Sequence, residues 1–472
     1  MAAIALFYFG NLKIDVISEP DEGAYTSGLI RISREESEFL PELPFDISLS
    51  GLGANAVKNE KQNSYIIPEG ETCIDVPIEI TYSDEVVEDA EIIATVSGNT
   101  ISRVSSKVFT VYNAKIDVFT RYVSTTGNDG NDGSSLEKSM LTISNAVESL
   151  IPFSMDKTCT VYVESGLYPI SKPIYVTNAI HVLGMGETAV DVVVSNKVSA
   201  NFYDQNLRVF IIDNPVAMVA NLTMTHGQSY GNGGNLYIKS TGGTVSNCVV
   251  SSGYTRDNGV AAGAYLEGGL VTHTIFRNNK SNSGTAHWNG VWSGCFEMQG
   301  TARAENCLFE ENNQYKPVVL IELGGSSIMR NCTIVNNSLS ATNEYCKVFT
   351  SLKIDSGAKA ENVVITGVTN TIDGAVCLPT GNVANFVNGA VDGDITDLGF
   401  PENTIVGTAT EFFKNYAAKD YRPDENGPLV GKGVNYSPMA AVDLAGVTRL
   451  VGSRIDIGCY EAPPFGTLII VK

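Results

Sequence analysis

At 472 residues with 43% hydrophobic content, the chain is long enough for two or three domains and is composed like a folded protein rather than a disordered one. Charged residues make up only 18%, and the formal net charge of −21 excludes the basic footprint that nucleic acid or an anionic membrane surface requires. Glycine reaches 45, a balance suited to many short strands joined by turns.

The first residues, Met-Ala-Ala-Ile-Ala-Leu-Phe-Tyr-Phe-Gly, are apolar but lack a basic stretch and a small-residue cleavage motif, so they do not read as a signal peptide. No apolar run approaches the roughly 18 residues that span a bilayer. An exported bacterial protein would need a leader, whereas a virion protein released by lysis would not.

Residues 1–117 are rich in Glu and Asp and alternate apolar with polar residues, as in Leu29-Ile-Arg-Ile-Ser-Arg34, Ile74-Asp-Val-Pro-Ile-Glu-Ile80 and Glu91-Ile-Ile-Ala-Thr-Val96. Each is a half-buried strand, and together they predict a β-sandwich of about seven strands. The phrases Ser18-Glu-Pro-Asp-Glu-Gly23, Ile67-Pro-Glu-Gly-Glu-Thr72, Ile80-Thr-Tyr-Ser-Asp84 and Val87-Glu-Asp-Ala-Glu91 resemble the Calx-β type of immunoglobulin-like domain. That resemblance implies calcium at acidic strand ends and nominates Glu22, Asp84, Glu88 and Glu91 as metal ligands, oxygen donors that suit calcium. Solvated loop carboxylates are the alternative.

Residues 118–461 have a different grammar. Tyr122-Val-Ser-Thr-Thr-Gly-Asn-Asp-Gly-Asn-Asp-Gly133 is a strand running into an Asn/Asp/Gly turn cluster. Leu141, Ile143, Ala146, Val147 and Leu150 then fall on one face at helical spacing. A short helix here would cap the open end of a coil. This strand, turn and helix in order resemble the entrance to right-handed parallel β-helix domains of the pectate-lyase-like superfamily. The resemblance implies an all-β chain, with the sandwich followed by a right-handed parallel β-helix solenoid.

The coil is written in one repeated phrase. It appears as Asn221-Leu-Thr-Met-Thr-His226, Asn247-Cys-Val-Val-Ser, His273-Thr-Ile-Phe-Arg-Asn278, Asn306-Cys-Leu-Phe-Glu-Glu-Asn312, Asn331-Cys-Thr-Ile-Val-Asn-Asn337 and Asn362-Val-Val-Ile-Thr, at steps of 26, 26, 33, 25 and 31 residues. A loose period of this size points to stacked turns, with the Asn residues forming ladders at the corners. Nine cysteines lack zinc-site spacing, and Cys248, Cys307 and Cys332 share one position of the phrase, so they read as small buried hydrophobes. A second strand series runs between the phrases, including Asn235-Leu-Tyr-Ile, Ala264-Tyr-Leu-Glu, Cys295-Phe-Glu-Met and Val319-Leu-Ile-Glu. The segments Asp420–Pro428, Asp443–Arg449 and Arg454–Glu461 resemble the C-terminal segment of secreted bacterial proteins of the same superfamily. Residues 462–472 add an apolar strand that needs a partner.

Two patches carry candidate chemistry. Aligning the second strand series on the Gly residues that follow it puts Leu266, Glu297, Glu322 and Lys353 in one outward column. Two carboxylates roughly 4.8 Å apart can perturb each other's pKa, hold calcium, or divide into acid and nucleophile as in retaining glycosidases. A lyase would use them for a cation, with Lys353 or Arg330 taking a proton. The structural alternative is a solvent-exposed ladder in which Lys353 offsets Glu322. The second patch, Arg277, Lys280, His287, Trp288 and Trp292, falls in the longest step of the repeat and holds both tryptophans, residues whose faces stack on sugar rings. Trp288 and Trp292 folding back as a satellite core is the alternative.

His226 and His273 lie on the phrases and read as structural. No nucleophile elbow, zincin motif or phosphate loop is present. The chain therefore reads as a glycan-contacting surface or appendage protein, bacterial or phage, located outside the cell or on a virion. It would bind polysaccharide and pair with itself or other surface proteins; no cofactor is required, and calcium at the sandwich is the one candidate ion. The alternatives are a lyase or glycosidase acting on an acidic polysaccharide, or a purely structural part of an assembly.

Overall fold

In the computed structural model the described residues are 10–18, 28–35, 41–50, 64–78, 90–97, 101–103, 105–111, 119–155, 157–196, 207–257, 259–283, 293–315, 319–340, 349–449 and 454–462. The chain divides into two compact units, residues 1–118 and 119–472.

Among the described residues the first unit holds eight strands: β1 (Gly10–Ser18), β2 (Gly28–Arg34), β3 (Leu43–Ser50), β4 (Ser64–Ile67), β5 (Cys73–Ile78), β6 (Ala90–Ser97), β7 (Ile101–Arg103) and β8 (Ser105–Val111). They form two four-stranded sheets in the orders β5-β2-β1-β7 and β4-β3-β6-β8. The period-2 alternation read from the sequence is the reason: Ile30 and Ile32 from one sheet and Phe45, Ile47, Ala94 and Val96 from the other meet in one core. Arg34 is buried with them, and its guanidinium is taken up by the carbonyls of Glu71, Pro68 and Pro41.

The second unit is a right-handed parallel β-helix whose described residues form three long parallel sheets of ten, ten and eight strands. The first sheet begins at Thr120–Val123, the second at Gly166–Ile170 and the third at Ile174–Val176. Helix α1 (Ile143–Leu150) closes the first turn, burying Ile143, Ala146, Val147 and Leu150. Thr142 caps it, and the Asp129 carboxylate accepts from the backbone N–H of Leu141 and Thr142, so the Asn/Asp/Gly turn holds the helix N-terminus. Leu141, expected on the buried face, precedes the helix and is 43% exposed.

The repeated phrase has a simple conformational meaning. Its first residue sits at a left-handed corner in every copy: Asn221, Asn247, His273, Asn306, Asn331 and Asn362 have φ between 47° and 56°. Five residues on, His226, Ser252, Asn278, Glu311, Asn336 and Gly367 form a second left-handed corner. Each phrase is thus a three-residue strand of the second sheet held between two bends, and Asn recurs because its short side chain tolerates this region. Cys248, Cys307 and Cys332 follow the first corner, point inward and are buried. The eight described cysteines are free thiols, and burial pushes the Cys248 thiol up to about 12.

The residue after the second corner faces inward. Asn279, Asn312 and Asn337 form a buried amide ladder in which each side chain bonds the next and a strand carbonyl. Where the earlier turn has Gly253, the Asn235 amide occupies the ladder and donates to Asn279. A Cβ on Gly253 would lie 2.6 Å from that amide nitrogen, so only glycine fits there. Beside the ladder, the rings of Phe276 and Phe309 stack at 4.8 Å, with Phe296 edge-on to both.

Candidate functional site

The chain's own C-terminal segment decides which outer faces remain open. Phe412, Leu429 and Ile457 pack on Leu308, Val335 and Val364, covering the outside of the second sheet. The same segment seals the first corner ladder. Arg449 donates to Asn306, the Tyr436 hydroxyl accepts from Asn331, and Asn362 exchanges two bonds with the Val434 backbone. On the first sheet, Glu305, Arg330 and Glu361 form one outward column. Arg330 donates to Glu361 at 2.5 Å and lies over the Tyr436 ring at 4.3 Å, so these charges are spent holding the segment down. Arg330 is therefore not beside Glu297 and Glu322.

The outer face of the third sheet carries a different composition. Strand register places Tyr175, Ile211, Tyr237, Tyr265, Glu297, Glu322, Lys353 and Thr380 in a single file across eight turns. Their neighbours Phe210, Leu236, Ala264, Phe296, Ile321 and Leu352 point into the core, so alternation turns the file outward. Glu297, Glu322 and Lys353 are brought together as expected, but the next member is Tyr265, not Leu266. The turn after Ala264–Leu266 spans three residues, and the one after Ser293–Met298 spans four, so alignment on the following glycines slips by one. Leu266 faces the core.

The two carboxylates differ in their surroundings. Both are 8% exposed, which removes the reading of an open solvent ladder. Glu297 accepts from Ser293 Oγ at 2.5 Å and from Gln299 Nε2 at 2.9 Å. Burial raises its pKa, the two hydrogen bonds oppose this, and the neighbouring Glu322 adds to the rise. Glu322 instead holds Lys353 Nζ at 2.6 Å, with Asp355 at 3.5 Å from the same ammonium. Burial lowers the Lys353 pKa, but Glu322 and Asp355 outweigh it and the net direction is upward. One carboxyl is thus biased toward its protonated form and the other sits against a cation.

The aromatic half of the file was not singled out from sequence. Tyr237 and Tyr265 meet edge to face at 5.7 Å, and Tyr237 Oη donates to Glu267 at 2.6 Å. Burial, reinforced by Glu267, pushes the Tyr237 hydroxyl up to about 12. Arg208 lies over the Tyr237 ring, 5.7 Å from its centroid, and its Nε donates to the Asn232 carbonyl at 2.7 Å. The signal was available in the tyrosines of Asn235-Leu-Tyr-Ile and Ala264-Tyr-Leu-Glu, which precede Cys295-Phe-Glu-Met at the same strand position.

The second predicted patch is divided. Arg277 ends a strand of the second sheet, between Ser251 and Glu310, while Lys280 opens a strand of a small corner sheet beside Tyr254 and is exposed. His287, Trp288 and Trp292 lie outside the described residues, directly before the strand that carries Glu297 in the chain. Glu22, Asp84 and Glu88 also lie outside them, and Glu91 is placed only as a β6 backbone position. Among the described residues no three His, Cys, Asp or Glu side chains converge as a metal site, and no helix is long and apolar enough to cross a membrane.

No family model matches the chain, and no curated protein does. Among solved structures it is similar to Escherichia coli YbhC, at 12% identity over 59% of this chain and 86% of that one, with a TM-score of 0.29. The rice weevil pectin methyl esterase is similar at 13% identity over 51% and 86%, with a TM-score of 0.28. A pectin methylesterase in complex with hexasaccharide VII is similar at 11% identity over 64% and 98%, with a TM-score of 0.26. At these values the likeness assigns no activity to the chain.

Proposed function

We propose that the protein binds an extended polysaccharide along the outer face of the third sheet, with the sugars following the coil axis. The unbroken outward file from Tyr175 to Lys353 carries this reading. At about 4.8 Å per turn it extends roughly 30 Å, long enough for several sugars. It presents what a glycan surface needs: tyrosine rings for the apolar faces of sugars, and carboxylates, amides and cations for their hydroxyls. Trp288 and Trp292, next to this file in the chain, belong to the same proposal. So does a location at a cell surface or on a virion, where such polymers are met.

A second reading, hydrolysis of the bound polymer, is favoured by the asymmetry of Glu297 and Glu322. A buried carboxyl biased toward its protonated form, beside one held against a lysine ammonium, suits the division of labour that glycosidic cleavage uses.

The binding reading is tested by affinity electrophoresis through gels containing bacterial and plant polysaccharides. Each tyrosine ring contributes about 1 kcal/mol, so Tyr237→Ala with Tyr265→Ala should weaken binding roughly thirtyfold. Failure of every polymer to retard the wild type, or unchanged retardation of the double variant, would overturn it.

A further inference from the structure

We propose that Arg208 forms a subsite for the carboxylate of a uronic acid, so that the polymer taken by the third-sheet face is an acidic polysaccharide; this rests on the binding reading above. Arg208 is half-buried, yet no carboxylate pairs with it among the described residues, whereas Lys239 and Lys353 on the same face are each neutralised, by Asp213 and Glu322. Among the described residues only its Nε is engaged, on the Asn232 carbonyl. The Tyr237 ring lies beside the guanidinium, its centroid 5.7 Å away. The loop at Gly231 backs it closely, since a Cβ there would lie 3.2 Å from Nη2.

A guanidinium stays charged at any ordinary pH, and partial burial without a counter-charge costs stability. Burial indeed lowers the Arg208 pKa, with only the Tyr237 and Tyr175 hydroxyls acting the other way. Retaining such a group makes physical sense when an anion arrives to complete it. Its planar fork, already held at Nε and set beside a ring, matches the two oxygens of a carboxylate with little ordering left to do. The location fits a polymer rather than a lone anion, because register puts Tyr237 two turns, or about 10 Å, from Glu297 along the file.

The test uses polyuronates (polygalacturonate, alginate and hyaluronate), each paired with the same polymer after chemical reduction of its carboxyls to alcohols, and dextran sulfate as a second anion. The full chain should bind at least one polyuronate tenfold or more tighter than its reduced partner. Arg208→Gln should erase that preference while leaving binding of the reduced polymer within about twofold, and Arg208→Lys should recover only part of it. Tyr265→Ala should weaken binding of both members of the pair, which reports on the face itself. An undiminished preference in Arg208→Gln, no preference in the wild type, or a preference for dextran sulfate alone overturns the carboxylate subsite while leaving the binding face standing. Indifference of both polymers to Tyr265→Ala removes the face and the subsite together.

Discussion

The C-terminal seal holds a proton, and removing the need for it should change how stability depends on pH. Arg449 is fully buried, and Asp443, Asp456 and Glu461 of the same segment are 1%, 5% and 3% exposed, three buried carboxyls for one buried guanidinium. Asp443 accepts from the backbone N–H groups of Ala445, Val447 and Glu461, and Asp456 from those of Gly431 and Ala462. Glu461 receives Arg449 Nη1 at 2.5 Å, but burial pushes its pKa from 4.5 up to about 8, with Arg449 opposing and Asp456 adding to the rise. Between those values the folded protein keeps a proton that the unfolded chain has lost. The contribution of Glu461 is therefore fully present below 4.5 and declines as pH rises, levelling off above about 8. The slope is about 1.4 kcal/mol per pH unit, which bounds the total near 5 kcal/mol. Glu461→Gln keeps the volume and the acceptor for Arg449 but has no proton to lose. Urea unfolding followed by circular dichroism at pH 5, 6, 7 and 8 should show the variant close to wild type at pH 5 and about 3 kcal/mol more stable at pH 8. A difference between the two proteins that does not change with pH would refute the reasoning.

Two further outcomes follow from the coil. Asn312→Ala removes four hydrogen bonds from a fully buried side chain and strands the Asn279 N–H, so it should cost about 3–4 kcal/mol in urea; a loss no larger than that of Asn278→Ala, at the exposed corner beside it, would dismiss the ladder as a source of stability. If the bound polymer is hydrolysed, new reducing ends should vanish in both Glu297→Gln and Glu322→Gln, and the alkaline limb of the wild-type rate profile should report the raised Glu297 pKa, because that group must be protonated to act as the acid; turnover that survives in Glu297→Gln would exclude the pair.

The architecture was legible because a stacked coil repeats its constraints in sequence. Left-handed corners five residues apart bound each three-residue strand; the first corner selects Asn in five of six copies, the second is more varied, and the position after the first corner holds Cys in three copies. These are local demands, so they survive as a readable phrase even where the step length varies. The column Glu297, Glu322, Lys353 was legible for the same reason, since alternation within each strand fixes its face. The slip from Tyr265 to Leu266 arose where a turn lost one residue, a change invisible to alignment on glycines but sufficient to exchange the inner and outer faces. The setting of Glu297 was not legible, because it depends on Ser293 and Gln299 folding toward it. Arg208 was missed altogether: its meaning lies in the Asn232 carbonyl and the Tyr237 ring, both contributed by the next turn.

That distinction explains where function can reside on such a scaffold. Inward positions are committed to the core, the corners to left-handed geometry, and the outside of the second sheet to the C-terminal segment. The outward file of the third sheet is free of all three demands, yet it is not filled with the solvated Lys and Glu that a face without a task would carry. It holds three tyrosines, two nearly buried carboxylates and, at one side, a guanidinium lacking a counter-ion among the described residues. Each is costly to keep for stability alone: exposed rings invite association, crowded carboxylates repel, and an unmatched cation loses hydration. The rings and carboxylates share one register, turn after turn, the spacing at which a polymer running along the axis would meet them, with the guanidinium at its flank.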